Sequence, residues 1–381
     1  MTMKDELCDY ANLSHANAWR RAKIQTPPVN PDEPGFVSSL LSPDIIQGLR
    51  DILKKYTVPG TKVRTRGIFT HQTPKVVPSG ASKSVEIGDL MFVHIDMPVG
   101  APSSARALLL QAKMSLKPKT GSLASANEAL QFKLYRDWLP FHGKFRLPKY
   151  SPLGGAWDFR PTPTDKLTAQ LGSGYITIFD NEAYNTVYAA QQWLAPVNPG
   201  PAALNLSASF PKSTTWSLGS SPSFNTKPSD GVDCLNDFGT AFSDFLAGSS
   251  GRTFSLGANS GTDHWSAFVN FMLAEALSPG YKFKLKNQGV KSAARAANIN
   301  FVSTVFQAIE RLNTFGLDGD DIFEPWPESE LLKALGFLEH DEGPPEELQN
   351  AETNPGGRHV PILIVLTFGN PEQPRFRNFY G

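Results

Sequence analysis

Asp89, Gln111 and Lys113 are the residues whose types and spacing suit chemistry best. Two strongly apolar segments, VEIGDLMFVHID from Val85 and RALLLQAKMSLK ending at Lys117, each carry polar groups that a buried strand does not keep without a task. Side chains two apart in a strand share a face, so Gln111 and Lys113 point the same way, and a neighbouring strand brings the Asp89 carboxylate beside them. One carboxylate, one side-chain amide and the main-chain carbonyl of Ala112 suffice for a hard cation such as Mg²⁺ or Mn²⁺, which takes oxygen ligands and keeps several waters. Such a cation polarises a phosphate and acidifies water, while Lys113 orients that water or stabilises charge on phosphorus. The chemistry this trio fits is phosphodiester hydrolysis.

Asp89 followed by Gln111-Ala112-Lys113 at the end of a second strand resembles the PD-(D/E)XK nuclease superfamily. Gln131-x-x-x-Tyr135 in the next segment resembles the Q-x-x-x-Y element of its RecB-type members. The resemblance covers roughly residues 40 to 180. It implies a restriction-endonuclease-like α/β fold, a mixed central sheet flanked by helices. It also implies a Mg²⁺- or Mn²⁺-dependent endonuclease or exonuclease acting on DNA, in bacterial DNA defence (phage defence) or DNA processing, with RNA as the second substrate to test. The implied catalytic set is Asp89, Gln111, Lys113, Gln131 and Tyr135, with Asp89, Gln111 and Ala112 on the metal. Gln111 stands where most members have Asp or Glu, which removes a negative charge from the metal shell and weakens cation binding. The alternative is therefore a catalytically degenerate module on the same fold that binds nucleic acid or a partner. A helix ahead of the sheet sometimes supplies a further acid in such proteins, and Asp51 is the nearest candidate.

Each residue also has a plain structural explanation. Asp89 after Gly88 suits a turn into a strand, and Lys113 can snorkel from a strand end. Gln131 and Tyr135, one turn apart on one helix face, fit a surface amide and a core tyrosine as well as a pair reaching the metal edge. His94 and Asp96 fall on the opposite strand face from Asp89 and rank as secondary ligands at best.

The elements that must position these groups are legible in part. Lys and Arg total 36 against 36 Asp and Glu, so nucleic-acid contact must come from a local patch. Lys62, Arg64 and Arg66 on a half-exposed strand are the candidates, with Arg64 and Arg66 as phosphate contacts. Cys8 and Cys234 are too few and too far apart for a disulfide framework or zinc site. The charged amino-terminal stretch lacks the apolar core of a secretion signal, and the chain has no uninterrupted apolar run of the ~18 residues needed to span a bilayer. A cytoplasmic protein without membrane contact is expected, and assembly with a second copy or with a helicase or ATPase stays open.

Residues 1–37 read as a polar lead-in with a short helix around Ala11 to Lys23, closed by Pro27, Pro28, Pro31 and Pro34, which forbid a helix there. A nuclease domain over 38–195 starts with a helix capped by Ser42 and continues through the apolar strands. The stretch EALQFKLYRDWLPF then has helical periodicity, GYITIFD suits a strand, and EAYNTVYAAQQWLA is helical again. Residues 196–231, rich in Pro, Ser, Gly and Asn, read as a linker or long loop. Residues 232–381 read as a helix-rich C-terminal region that closes with HVPILIVLTFG, an apolar run suited to a buried strand. DGDD at 318–321 lacks the spacing of a calcium loop, and no nucleophile elbow supports a triad of Asp263, His264 and Ser266.

Overall fold

The computed structural model describes residues 1–23, 30–69, 74–98, 103–117, 119–123, 125–181, 215–256, 263–276, 360–370 and 374–377. The expected helix EAYNTVYAAQQWLA, the first part of the 196–231 loop and DGDD lie outside the described residues. The amino-terminal part contains α1 (Met3–Lys23), α2 (Glu33–Leu40), α3 (Pro43–Tyr56), β1 (Lys62–Ile68), β2 (Lys75–Pro78) and β3 (Val85–Glu86). Next come β4 (Leu90–Pro98), β5 (Ser104–Ser115), β6 (Thr120–Gly121), α4 (Ala126–Asp137), β7 (Phe141–Phe145), α5 (Lys166–Leu171) and β8 (Ser173–Phe179). The rest is β9 (Trp216–Ser220), β10 (Val232–Asp233), β11 (Asn236–Asp237), α6 (Phe238–Ala247), β12 (Arg252–Thr253), α7 (His264–Ala276) and β13 (Ile362–Gly369).

The fold is mixed α/β. An eight-stranded sheet runs β1-β13-β4-β5-β8-β9-β11, with β12 also paired to β5. β4 and β5 are antiparallel, β8 is parallel to β5, and β13 is parallel to β4 but antiparallel to β1. β3, β2 and β7 pair in that order as a separate small sheet, whose Val76, Val85 and Phe141 enter the same core as Met91 and Leu109 of the large one. β13 is buried at every position, as expected for an apolar strand covered on both faces. Period-two alternation divides β4 cleanly: Leu90 and Phe92 enter one core with α1, α2, α3 and α6, while Met91, Val93 and Ile95 enter the other with α4, α7 and the Trp138, Trp157 and Phe159 rings. Asp89, Gln111 and Lys113 fall on the second face by the same alternation.

Several expected elements differ. α1 begins at Met3, and Leu7, Tyr10, Leu13 and Trp19 are core residues rather than part of a polar lead-in. The proline-rich passage does yield to a helix: α2 starts at Glu33 with Pro34 in its first turn, where the missing N–H loses no hydrogen bond. Asp32 caps it by accepting from Gly35 N at 2.8 Å. Ser42 does precede α3, but its hydroxyl donates back to Ser39 O at 2.9 Å instead of capping. Within the stretch expected as a loop, Trp216 to Ser220 form a strand whose buried Trp216 and Leu218 alternate with small residues. β9, β11, β12 and β13 therefore carry residues beyond 195 into the same sheet as β4 and β5.

Candidate functional site

The site forms where β5 outruns its neighbour. β4 and β5 pair from Leu90–Leu110 to Asp96–Ser104, whereas β8 stays paired with β5 as far as Ser115. Beyond Leu110 the β4-facing edge of β5 has lost its strand partner, and carboxylates take that place. Ala112 N donates to Asp89 Oδ2 at 2.9 Å, and Met114 N–H donates to the Glu33 carboxylate. The amide and carbonyl of one strand residue leave the same edge, so the Ala112 carbonyl opens into this notch too. Tyr135 braces the approach: its hydroxyl donates to Ile87 O at 2.8 Å. Gly88 leaves room for that contact, since a Cβ there would lie 3.0 Å from the Tyr135 hydroxyl and 2.6 Å from Leu109.

Asp89, Gln111 and Lys113 are brought together and are only 8%, 1% and 7% exposed. The Gln111 amide nitrogen donates to Asp89 Oδ2, leaving Gln111 Oε1 buried with no hydrogen-bond partner. Tyr175 stands opposite Gln111 on β8, and its buried hydroxyl likewise has no partner. Lys113 Nζ lies 3.8 Å from Glu128 Oε1. Glu128 also closes the capping box of α4, accepting from Ser125 N at 2.8 Å while its own N–H donates to Ser125 Oγ at 3.1 Å.

The electrostatics are those of crowded acids in a poor solvent. Burial pushes the Asp89 carboxyl well above its ordinary range, the nearby Glu33 pushes it further, and Lys113 and the Ala112 amide pull it back. Glu33 is raised to about 7, first by burial, with Glu86 and Glu128 adding to the rise and Lys113 opposing it. Two close carboxylates cannot both ionise cheaply without a cation. Burial and the Asp89 charge also push the Tyr175 hydroxyl up.

The sequence expectations are distributed unevenly over this site. Gln131 is buried on the same face of α4 as Tyr135, whose ring packs on Trp138 and Tyr175 at centroid distances of 5.1 and 5.4 Å. Tyr135 is thus a core tyrosine that also fixes the segment entering Asp89. Arg64 and Arg66 are not brought against Lys113: β1 stands two strands from β4 and three, about 14 Å, from β5, and Arg66 is level with Ile364 and Val93 inside the sheet rather than with Asp89. Asp51 accepts from Gln47 at 2.9 Å on exposed α3 surface, and the acid that joins the notch is Glu33.

His94 and Asp96 face the other core: His94 Nε2 lies 3.0 Å from Thr367 Oγ1, Thr367 donates to Asp96 at 2.6 Å, and Arg375 pairs with Asp96 at 2.5 Å. Asp263 accepts from Ser266 N and Oγ at the start of α7, at 3.0 and 2.6 Å, a capping role. Glu33, Glu128 and Tyr175 were missed. The Ser125-x-x-Glu128 pattern is a capping-box signal, and Pro34 in a first helical turn is a start signal for α2, but nothing local points either acid at Lys113.

Among the described residues, no group of three or more His, Cys, Asp or Glu side chains is gathered as a metal cage. The donor set at the notch is mixed: the carboxylates of Asp89 and Glu33, the partnerless amide oxygen of Gln111 and the Ala112 carbonyl. All are hard oxygen donors, so they fit Mg²⁺ or Mn²⁺. Gln111 Oε1, a buried acceptor without a protein partner, is left to accept from a water molecule or to ligate a cation. Comparison with known protein families, with curated proteins and with solved structures finds no match to this chain.

Proposed function

We propose that the protein is a divalent-metal-dependent nuclease on an elaborated restriction-endonuclease-like fold, acting on DNA. The observation that carries this reading is the notch itself: two proton-retaining carboxylates, a partnerless buried amide oxygen and Lys113, all at the end of one strand. The fold reading is supported by the acid-bearing segment entering a strand antiparallel to the Gln111–Lys113 strand, and by α4 leading on to a strand parallel to it. Insertion of β13 between β1 and β4 is the elaboration.

In this mechanism Asp89, Glu33, Gln111 Oε1 and the Ala112 carbonyl would hold a divalent cation. When bound, it supplies positive charge to a phosphodiester and acidifies a water molecule. Lys113 Nζ offers charge to the non-bridging phosphate oxygens, most strongly as negative charge builds on phosphorus. Glu128 holds that ammonium over the site, and Tyr135 holds the Ile87–Asp89 segment. Cleavage of supercoiled, linear and single-stranded DNA, and then of RNA, with and without Mg²⁺ tests the assignment. Cleavage that needs the metal and is lost in Asp89→Asn supports it.

One observation favours the degenerate-module reading as runner-up. The Gln111 amide closes onto Asp89 by its nitrogen, neutralising part of the need for a cation. In that case nucleic acid binds without cleavage at any Mg²⁺ or Mn²⁺ concentration.

A further inference from the structure

A basic and aromatic hairpin lies two strands from the segment that enters the notch and has no part in holding a metal. From Trp138 to Trp157 the chain carries Lys144, Arg146 and Lys149 and no acidic residue. Among these cations stand two large exposed rings, Phe145 at 42% and Tyr150 at 52% exposure. Each ring carries a cation: the Arg146 guanidinium lies 4.8 Å from the Phe145 centroid and Lys149 Nζ lies 5.0 Å from that of Tyr150. His142 meets Tyr150 edge-on at 5.4 Å.

The hairpin is built stiffly. Gly143 N donates to Lys149 O at 3.1 Å, and a Cβ on Gly143 would strike Pro148 O at 2.2 Å. The buried Trp157 ring donates to Pro148 O at 2.9 Å, and Leu147 anchors the turn in the core. Arg146 adopts a left-handed φ of 61°, a conformation that packing must enforce on a residue with a Cβ. β7 also bulges at Lys144 against β2, and a bulge re-aims the side chains around it. Two rings are thus held out to solvent by a turn that nothing in the core requires to be aromatic on its outer side.

Position ties the hairpin to the site. Phe145 is in register with Lys75 of β2, and Lys75 with Glu86 of β3. Two inter-strand spacings, about 10 Å, therefore separate the Phe145 backbone from Glu86, and Asp89 follows three residues further along that segment.

We infer that this hairpin is a stacking platform for an unpaired strand of nucleic acid, with bases on Phe145 and Tyr150 and phosphates on Lys144, Arg146 and Lys149. Bases that are paired and stacked in a duplex do not offer their faces to a protein ring; unpaired bases do, regardless of sequence, and the lysines and arginine follow the backbone. The inference rests on the nuclease reading only for the fate of the strand, and names single-stranded nucleic acid as the form delivered to the notch.

The test is fluorescence anisotropy with a labelled oligothymidylate about 20 nucleotides long, and with a duplex of equal length, in EDTA so that cleavage plays no part. Wild type is expected to bind the oligothymidylate more tightly than the duplex. Phe145→Ala with Tyr150→Ala should weaken single-strand binding about tenfold or more, while Phe145→Tyr with Tyr150→Phe retains it. Lys144→Gln with Lys149→Gln should flatten the salt dependence. All these side chains are exposed, so unchanged melting temperatures are expected and checked first. Equal binding by wild type and the double alanine variant, tighter binding to duplex, or equal binding to heparin would overturn the platform. Binding without any cleavage leaves the platform standing and removes the nuclease reading; metal-dependent cleavage indifferent to the alanine pair does the reverse.

Discussion

At the residue scale, the spacing of Gln111 and Lys113 was legible because period two is a local property of a strand, and it placed both with Asp89 on one face. Glu33 was not, because the link from α2 to the end of β5 spans some eighty residues of sequence and the prolines around it read as a helix-free passage. Its raised pKa carries a consequence for stability. Glu33 titrates at about 7 folded, against an ordinary 4.5, so between these values the folded state binds more protons than the unfolded one, and stability falls as pH rises through that window. Glu33→Gln should therefore melt higher than wild type at pH 8 without metal, converge with it near pH 5, and lose cleavage; thermal melts at the two pH values check this. Lys113→Ala should lower the cleavage rate by about a hundredfold or more, the usual scale for losing one positioned group that stabilises transition-state charge, read by single-turnover kinetics.

At the element scale, the amphipathic α3, the stretch around α4 and the apolar strands were readable from periodicity, while β9 was hidden because Trp216 and Leu218 alternate with Ser and Gly in a loop-like composition. α4 does two things at once. Its capping glutamate faces Lys113, and two turns later Tyr135 holds the Ile87 carbonyl. Tyr135→Phe keeps the ring in its aromatic cluster and deletes only that hydrogen bond, which typically contributes about 1 kcal/mol. A small drop in melting temperature with a larger loss in turnover is expected, because the Asp89 segment loses its brace; a stability loss with turnover per folded molecule unchanged would assign Tyr135 to packing alone. Gln131→Ala offers the parallel comparison one turn earlier.

At the scale of the whole molecule, β13 shows what a linear reading cannot reach. HVPILIVLTFG announces a buried strand, but its place between β1 and β4 depends on pairing across more than 260 residues. A chain ending at residue 355 lacks this central strand, exposes the facing edges of β1 and β4, and should show no cooperative melting by circular dichroism. Arg375 and Phe376, which tie the closing segment to Asp96 and the core, reinforce that dependence. No helix among the described residues is long and apolar enough to cross a membrane. If the notch beside Asp89 holds a divalent cation for phosphodiester cleavage, the Mg²⁺ dependence of single-strand DNA cleavage by wild type and Gln111→Glu reads it most directly. A third carboxylate beside Asp89 and Glu33 should shift the half-maximal Mg²⁺ concentration downward by about tenfold, given the gain from one added charge. Identical metal dependence in the two proteins, or no cleavage by either at any Mg²⁺ or Mn²⁺ concentration, would contradict it.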